Sequence, residues 1–225
     1  MLISVAQLVF GTITITYNYD KPVVENVGDY SKITLENCFQ NGAPTQPEIP
    51  YQGALIYLPQ SEEIVSINVR KGKAQEIILD RPLFPVQQQY PLSLMEQAKF
   101  TEPNKNIYNS LKSFPYETTK NIRTDFMAGH SVGSFAFSPV EYYPQENRIV
   151  WYAEATLEIE TQVTAAGQEA QNLRKDNMAV YKRLIKSVNN PEMLPMPTNA
   201  RNTGIDYLII YPGVFANSSY IASAK

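Results

Sequence analysis

Cysteine and histidine are almost absent from this sequence, because its 225 residues include only Cys38 and His130 of these two types. Disulfides need pairs of cysteines, and zinc sites usually need several nitrogen or sulfur ligands, so we expect neither a disulfide nor a bound metal. A Cys38–His130 catalytic pair is the one nucleophilic arrangement that stays open. The alternative is that Cys38 is a small buried hydrophobic residue, as a lone cysteine more often is.

An excess of basic charge, a long apolar run and a nucleotide-binding motif are also lacking. The chain has 19 Lys and Arg residues against 22 Asp and Glu residues, so we expect no nucleic-acid partner. No stretch approaches the roughly 18 apolar residues of a membrane-spanning helix. The apolar opening, "MLISVAQLVF", has no basic residue before it and no small-residue cleavage site after it, so we expect it to be a strand and not an intact signal peptide. Without a glycine-rich phosphate loop or a G-x-S-x-G turn, the sequence predicts no cofactor.

Apolar and polar residues alternate with a period of two in much of the chain, which is typical of half-buried strands. In "GTITITYNYD", the inward face runs from Ile13 through Ile15 and Tyr17 to Tyr19. The longest case is "RIVWYAEATLEIETQ", which we expect to pair with "HSVGSFAFSPVEYY" across the turn "PQEN". Its predicted inward face consists of Ile149, Trp151, Ala153, Ala155, Leu157 and Ile159.

A second hairpin is predicted in "EEIVSINVRKGKAQEIIL", with Gly72 in its turn. No comparable helical pattern interrupts residues 1–163, and the connections are rich in proline and glycine. Many short strands with such connections predict a mainly β fold, an antiparallel β-sandwich or jelly roll.

Four segments depart from this alternation of apolar and polar residues. Residues 86–121 follow neither period and are too long for an ordinary connection, which indicates a functional or disordered loop. From Ala165 apolar residues recur at helical spacing, at Leu173, Val180, Tyr181, Leu184 and Val188. Pro191, Pro195 and Pro197 then predict a linker. After it, the run Tyr207–Tyr211 is typical of a strand covered on both faces by helices, although too few residues follow for a parallel crossover.

Several motifs resemble the propeptide of the gingipain-type cysteine peptidases, the C25 peptidase family. "NGAPTQPEIPYQGALIYLP" is similar to that family's G-x-P-x-x-P segment before a strand ending in Leu-Pro. "FSPVEYYPQENRIVWYAEATLEIE" resembles its hairpin, and "MAVYKRLIKSVNN" its closing helix. "IDYLIIYPGVFANSSYIASAK" is similar to the first strand and helix of the peptidase itself. The order and spacing of these motifs carry the resemblance across nearly the whole chain.

The resemblance implies a division into three parts: a β-sandwich prodomain with its closing helix at 1–188, a linker at 189–203, and a truncated α/β peptidase start at 204–225. It implies that the chain is the propeptide of a secreted or cell-surface cysteine peptidase. The propeptide would act on that peptidase in cis as a tethered inhibitor and folding aid. The catalytic His and Cys would lie after Lys225, so the chain itself would be inactive.

The resemblance also indicates site residues. In the family a long prodomain loop enters the active-site cleft, and here that loop corresponds to residues 86–108. Its candidate residues are Leu92, Leu94, Met95 and Lys99. The aligned position lies near Leu92, which is not basic, so the sequence does not predict a peptidase specific for Arg or Lys. If activation is tryptic-like, the candidate cleavage sites are Arg201, Arg183 and Lys186.

An alternative from another class is a stand-alone β-sandwich that binds carbohydrate or a cell-surface partner. Exposed tyrosines among the 15 present would then form its contact surface, because tyrosine combines a large apolar face with a polar tip.

Overall fold

A computed structural model describes residues 11–197 of the chain. In chain order the strands are β1 (Gly11–Asn18), β2 (Val23–Val27), β3 (Tyr30–Thr34), β4 (Phe39–Asn41), β5 (Ile49–Tyr57), β6 (Glu62–Lys71), β7 (Ala74–Ile78), β8 (Thr119–Met127), β9 (His130–Phe137), β10 (Val140–Tyr143), β11 (Arg148–Tyr152) and β12 (Glu154–Val163). The α-helices are α1 (Lys105–Tyr108), α2 (Ala165–Asn172) and α3 (Met178–Ser187), and short 3-10 helices cover Leu92–Gln97, Pro144–Glu146 and Pro191–Met193. The predicted peptidase start at 204–225 lies outside the described residues.

Six strands form two sheets that follow one another along β11 and β12, and we call these two sheets together the ribbon. β12 pairs with β1 on one edge and with β6 on the other, while β11 pairs with β10 and β7. The register continues from one sheet to the next, because Tyr152 lies opposite Ala74 and Ala155 lies opposite Lys71. β6 and β7 therefore run one after the other along the same partner.

The predicted hairpin around Gly72 is consequently wrong. The N–H of Gly72 donates to the carbonyl oxygen of Glu154 at 2.9 Å, which carries the ladder across a bend instead of reversing the chain. A β-carbon at Gly72 would lie 3.2 Å from both the Cβ and the carbonyl oxygen of Glu154, so glycine suits this close approach. The chain does not reverse at this turn-like sequence because both halves of the segment pair with consecutive strands, β6 with β12 and β7 with β11.

The long predicted strand has the inward face that its sequence indicates, since Ile149, Leu157 and Ile159 have no exposed surface. The prediction of its partner strand is only partly correct. β10 pairs with β11 across Pro144–Glu146 and Asn147, which takes the left-handed conformation at φ 47. β9, the first half of the predicted partner, pairs instead with β5 and β8.

A four-stranded sheet in the order β4-β5-β9-β8 supplies the other side of the core. Ile13 and Leu157 from the ribbon share one buried cluster with Ile56 and Phe137 from this sheet. Each fully buried side chain of this size contributes about 1.5–3 kcal/mol relative to exposure. β2 and β3 form a separate hairpin, and every pairing between two of the strands β1–β12 is antiparallel, with one isolated parallel bridge between Ser31 and Leu83. The predicted antiparallel, mainly β fold is confirmed.

Two helices stand where the sequence predicts one. α2 ends before Leu173, whose side chain is 75% exposed, and α3 begins after Asn177. The side chain of Asn177 accepts hydrogen bonds from the N–H groups of Ala179 and Val180, which makes it an N-cap. Leu184 and Val188 are buried as the helical spacing predicts. No helix between residues 11 and 197 is long and apolar enough to cross a membrane.

Candidate functional site

The long segment after β7 begins as ordered, paired backbone. The N–H of Ser31 donates to the carbonyl oxygen of Pro82 and the N–H of Phe84 donates to that of Ser31, each at 2.8 Å. On the other side, the N–H of Glu48 donates to the carbonyl oxygen of Phe84 at 2.8 Å. The chain is therefore held between β3 and the residues just before β5 until it reaches Val86.

Gln87 and Thr101 close the base of the exposed loop, which we define as residues 88–100. The N–H of Thr101 donates to Oε1 of Gln87 at 2.8 Å, and Nε2 of Gln87 donates to the carbonyl oxygen of Thr101 at 3.3 Å. The N–H of Gln88 adds a third bond to Oγ1 of Thr101 at 3.0 Å. Because its two ends meet, the segment is a closed surface loop of the Ω type.

The outer part of the exposed loop has no buried side chain. All residues from Pro91 to Phe100 are exposed, and Leu92 reaches 92% exposure. Leu94 is 41% exposed and Met95 is 54% exposed. The short 3-10 helix Leu92–Gln97 keeps this tip compact. Three large apolar side chains, those of Leu92, Leu94 and Met95, are therefore exposed at this tip.

The four candidate residues of the loop occupy two different positions. Met95 and Lys99 line a cavity of about 630 Å³ between the two limbs of the loop, together with Tyr90 and Phe100. Leu92 and Leu94 are not part of that lining. Leu92 and Leu94 are therefore exposed at the tip, whereas Lys99 lies on the returning limb close to the base.

An aromatic cluster anchors the returning limb. The ring of Phe100 lies 5.6 Å from that of Tyr30 and 5.9 Å from that of Phe84, between ring centroids. Tyr30 and Phe84 contact each other edge to face at 5.7 Å. Contacts of this kind contribute about 0.5–1.5 kcal/mol each beyond area burial, so Phe100 fixes where the loop rejoins the body.

The remainder of segment 86–121 is more ordered than its sequence indicates. Helix α1 follows Asn104, whose N–H donates to the carbonyl oxygen of Thr45 at 2.9 Å, and Ile107 is buried. Phe114 exchanges two backbone hydrogen bonds with Tyr142, at 2.8 and 2.7 Å. Between these anchors Leu111 is 88% exposed and forms a second apolar tip. The sequence signal for Leu111, a single leucine among polar residues, is too weak to have singled it out.

The candidate cleavage residues Arg183 and Lys186 lie in α3 on either side of the fully buried Leu184. Cleavage at either site therefore requires α3 to unfold, because a peptidase binds its substrate as an extended chain. Arg201 lies outside the described residues. Within the predicted linker, Asn190 is only 1% exposed and Leu194 is 7% exposed, so this part of it packs against the domain.

Cys38 and His130 have separate surroundings. Cys38 packs beside the main core, and burial raises the pKa of its thiol to about 12, which keeps it protonated. His130 is 6% exposed and has its hydrogen-bonding contacts with Tyr57 and the Lys175 carbonyl oxygen. A thiol with such a pKa is a poor nucleophile, so the geometry gives the Cys38–His130 hypothesis no support. Among residues 11–197, no group of three or more His, Cys, Asp or Glu side chains is placed to hold a metal ion.

Comparison with known proteins decides the family. The family model Propeptide_C25 matches residues 10–189. The chain belongs to the C25 propeptide family. No curated protein matches the chain.

Two solved structures show the same fold as this C25 propeptide. A structure from work on the zymogenic latency of gingipain K from Porphyromonas gingivalis superposes with a TM-score of 0.58 at 16% identity, covering 73% of this chain and 98% of that chain. A complex of the pro- and mature domains of RgpB, also from Porphyromonas gingivalis, superposes with a TM-score of 0.59 at 16% identity, covering 85% of this chain and 96% of that chain. At this identity the likeness establishes the fold alone.

Proposed function

We propose that this chain is the N-terminal propeptide of a secreted or cell-surface gingipain-like cysteine peptidase. It inhibits that peptidase in cis, assists its folding, and is removed by cleavage in the linker. The observation that carries this proposal is the exposed loop, residues 88–100, with its closed base and its apolar tip. The family match supports the propeptide part, and the RgpB complex of pro- and mature domains supports a peptidase domain as the partner.

The closed base matters for inhibition because it holds the loop ready for binding. A loop that is already folded back on its own stem loses less conformational entropy when a partner captures it. The three bonds between Gln87, Gln88 and Thr101 provide that closure without using the tip residues. The apolar side chains of the tip then stay free to fill a pocket of the partner.

Leu92 is the residue of the loop that we expect to fill the specificity pocket. It is the most exposed large apolar side chain in the described chain, at 92%, and Leu94 and Met95 flank it. Lys99 lines the cavity near the base and is a poorer candidate. A few residues buried in pockets of the partner dominate the energy of most interfaces. With Leu92 in that position, the proposal predicts a peptidase pocket that accepts leucine-like side chains.

Tethering makes modest affinity sufficient for latency. A domain on the same chain meets its partner at an effective concentration of about 1 mM, so a dissociation constant near 1 μM leaves roughly one site in a thousand free. Cleavage of the linker removes this advantage. Dilution after cleavage then makes activation nearly irreversible.

The alternative of a carbohydrate-binding or cell-surface-binding module draws less support from the described residues. That hypothesis needs a surface rich in tyrosine, and in residues 11–197 Tyr116 is the only tyrosine whose side chain is mostly exposed, at 60%. Tyr51, Tyr57 and Tyr142 are buried instead. The exposed apolar side chains are those of a loop tip and not of a flat aromatic platform.

The proposal is tested by producing the chain and the peptidase domain from the same reading frame as separate proteins. The chain should inhibit peptide hydrolysis with a dissociation constant of about 1 μM or lower, and it should raise the refolding yield of the denatured peptidase. A reading frame with no peptidase domain would contradict the proposal. So would full peptidase activity in the presence of about 100 μM chain.

A further inference from the structure

The free edge of β5 is closed by the residues that follow α3. β4 pairs with β5 only from Ile49 to Tyr51, while β9 occupies the opposite edge from Gln52 to Tyr57. Backbone groups of alternate residues point to opposite edges of a strand. The polar groups of Leu55 and Tyr57 therefore face the edge that β4 leaves open.

Two consecutive asparagines satisfy those groups. The N–H of Leu55 donates to Oδ1 of Asn189 at 2.8 Å, and the N–H of Asn189 donates to the carbonyl oxygen of Leu55 at 2.7 Å. The N–H of Tyr57 donates to Oδ1 of Asn190 at 2.7 Å, and Nδ2 of Asn190 donates to the carbonyl oxygen of Tyr57 at 2.9 Å. The Asn190 side chain thus takes the place of a neighbouring strand.

Apolar anchors lie on both sides of these asparagines. Val188 is 7% exposed and Leu194 is 7% exposed, and both belong to the buried cluster that contains Tyr57, Val132 and Leu184. We call residues 188–194 the strap. Because the strap and α3 share this cluster, α3 cannot unfold from its C-terminal end without breaking the strap contacts.

The other end of α3 is held through the connection from α2. A β-carbon at Gly167 of α2 would collide with the backbone of Ser61, and one at Gly129 would collide with the backbone of Arg174. The side chain of Ser61 also donates a hydrogen bond to Gln171. α2 therefore packs directly on the sheet, and α3 lies between two fixed points.

We infer that the strap protects the bonds after Arg183 and Lys186 from cleavage, because it keeps α3 folded. The sequence alone marks the bonds after Arg183 and Lys186 as candidate cleavage sites, but both bonds lie within the folded helix α3. The first Lys or Arg after Lys186 is Arg201. The inference takes its biological meaning from the proposed cleavage in the linker, but its test needs no peptidase partner.

Limited trypsin digestion of the full chain, followed by intact-mass spectrometry, tests the inference. The measured quantities are the cleavage rates after Lys186 and Arg183, with cuts elsewhere scored separately, and a synthetic peptide of residues 178–190 gives the rates for the unfolded segment. In the native chain both rates should be at least about tenfold lower than in the peptide, because native-state proteolysis follows the population of opened chain.

Strap variants supply the decisive comparison. Asn190→Ala should raise the rate after Lys186 at least about tenfold, and the milder Asn189→Ala should raise it less while the chain stays folded by circular dichroism. Asn172→Ala, at the exposed end of α2, is the matched control and should leave the rate unchanged. A native rate after Lys186 equal to that in the peptide, or a folded Asn189→Ala chain with an unchanged rate after Lys186, would overturn the inference. Neither result would bear on inhibition by the loop.

Discussion

His130 and Tyr57 meet in the buried cluster between β5, β9 and the helices, where Nδ1 of His130 lies 3.3 Å from the hydroxyl oxygen of Tyr57. On its other side, Nε2 of His130 lies 3.3 Å from the carbonyl oxygen of Lys175 and 3.6 Å from Oδ1 of Asp176. Burial lowers the pKa of His130 below its ordinary value of 6.5, and Arg174 adds to this, although the Lys175 carbonyl and Asp176 oppose it. The lone histidine of the chain is therefore held mainly neutral under α3.

This histidine gives the domain an acid-sensitive stability. Since the pKa of His130 is lower in the folded chain than in the unfolded one, its stabilising contribution is complete above pH 6.5 and is lost progressively as the pH falls below that value. Thermal unfolding between about pH 7.5 and 5.5 should show a falling melting temperature. In His130→Gln the fall should be much smaller, and an equal fall in both proteins would contradict this explanation.

The closure of the exposed loop should affect inhibition more than stability. Gln87→Ala removes both side-chain bonds to Thr101, which together contribute about 1–3 kcal/mol to keeping the loop closed. We expect inhibition of the peptidase to weaken at least about tenfold, with little change in melting temperature. Gln89→Ala is the matched control and should inhibit like the native chain. Unchanged inhibition by Gln87→Ala would show that closure is not needed.

Leu92 should carry more binding energy than any other residue of the loop. Leu92→Ala should weaken inhibition by about 2 kcal/mol, or roughly thirtyfold, as expected when a leucine side chain that is buried on binding is lost. Leu111→Ala changes the second exposed tip and serves as the control. If Leu111→Ala weakens inhibition and Leu92→Ala does not, the second tip is the one that enters the pocket. Lys99→Ala should have little effect in either case.

A pair of glycine substitutions tests how tightly α2 and its connection pack on the sheet. Gly28 and Gly129 both have positive φ, at 59 and 82, but only at Gly129 would a β-carbon collide with backbone, that of Arg174. Gly28→Ala should lower the free energy of unfolding by about 1–2 kcal/mol from backbone strain alone. Gly129→Ala should lower it by at least about 2 kcal/mol more, measured by chemical denaturation. Equal losses in the free energy of unfolding would mean that the connection between α2 and α3 shifts easily to accommodate the added β-carbon.

The sequence predicts the strands well where apolar and polar residues alternate over many consecutive positions. The alternation in β1 and β12 is strict, and the buried faces of both strands are as predicted. Gly72 shows the limit of local signals, because a turn-like tetrapeptide becomes a bend when one long partner pairs with both of its sides. Leu173 shows the same limit for helices, since its spacing fits α3 but Asn177 restarts the helix after it.

The candidate site was harder to predict than the fold. The exposed loop stands out in the sequence because it lacks a period, yet its closure depends on Gln87 and Thr101, two polar residues with no motif. The strap could not be foreseen either. Asn190 pairs with Tyr57, a residue distant in the sequence, and asparagines next to prolines look like an ordinary linker. The three-part division and the individual site residues remain predictions.

The most direct test of the central claim is the inhibition constant of a chain whose exposed loop, residues 88–100, is replaced by a short glycine-serine connection. Gln87 and Thr101 are kept so that the stem and the fold are preserved, and circular dichroism and melting temperature check this. The account predicts that the folded variant loses at least about a hundredfold in inhibition of its own peptidase. A folded variant that inhibits as strongly as the native chain would contradict it.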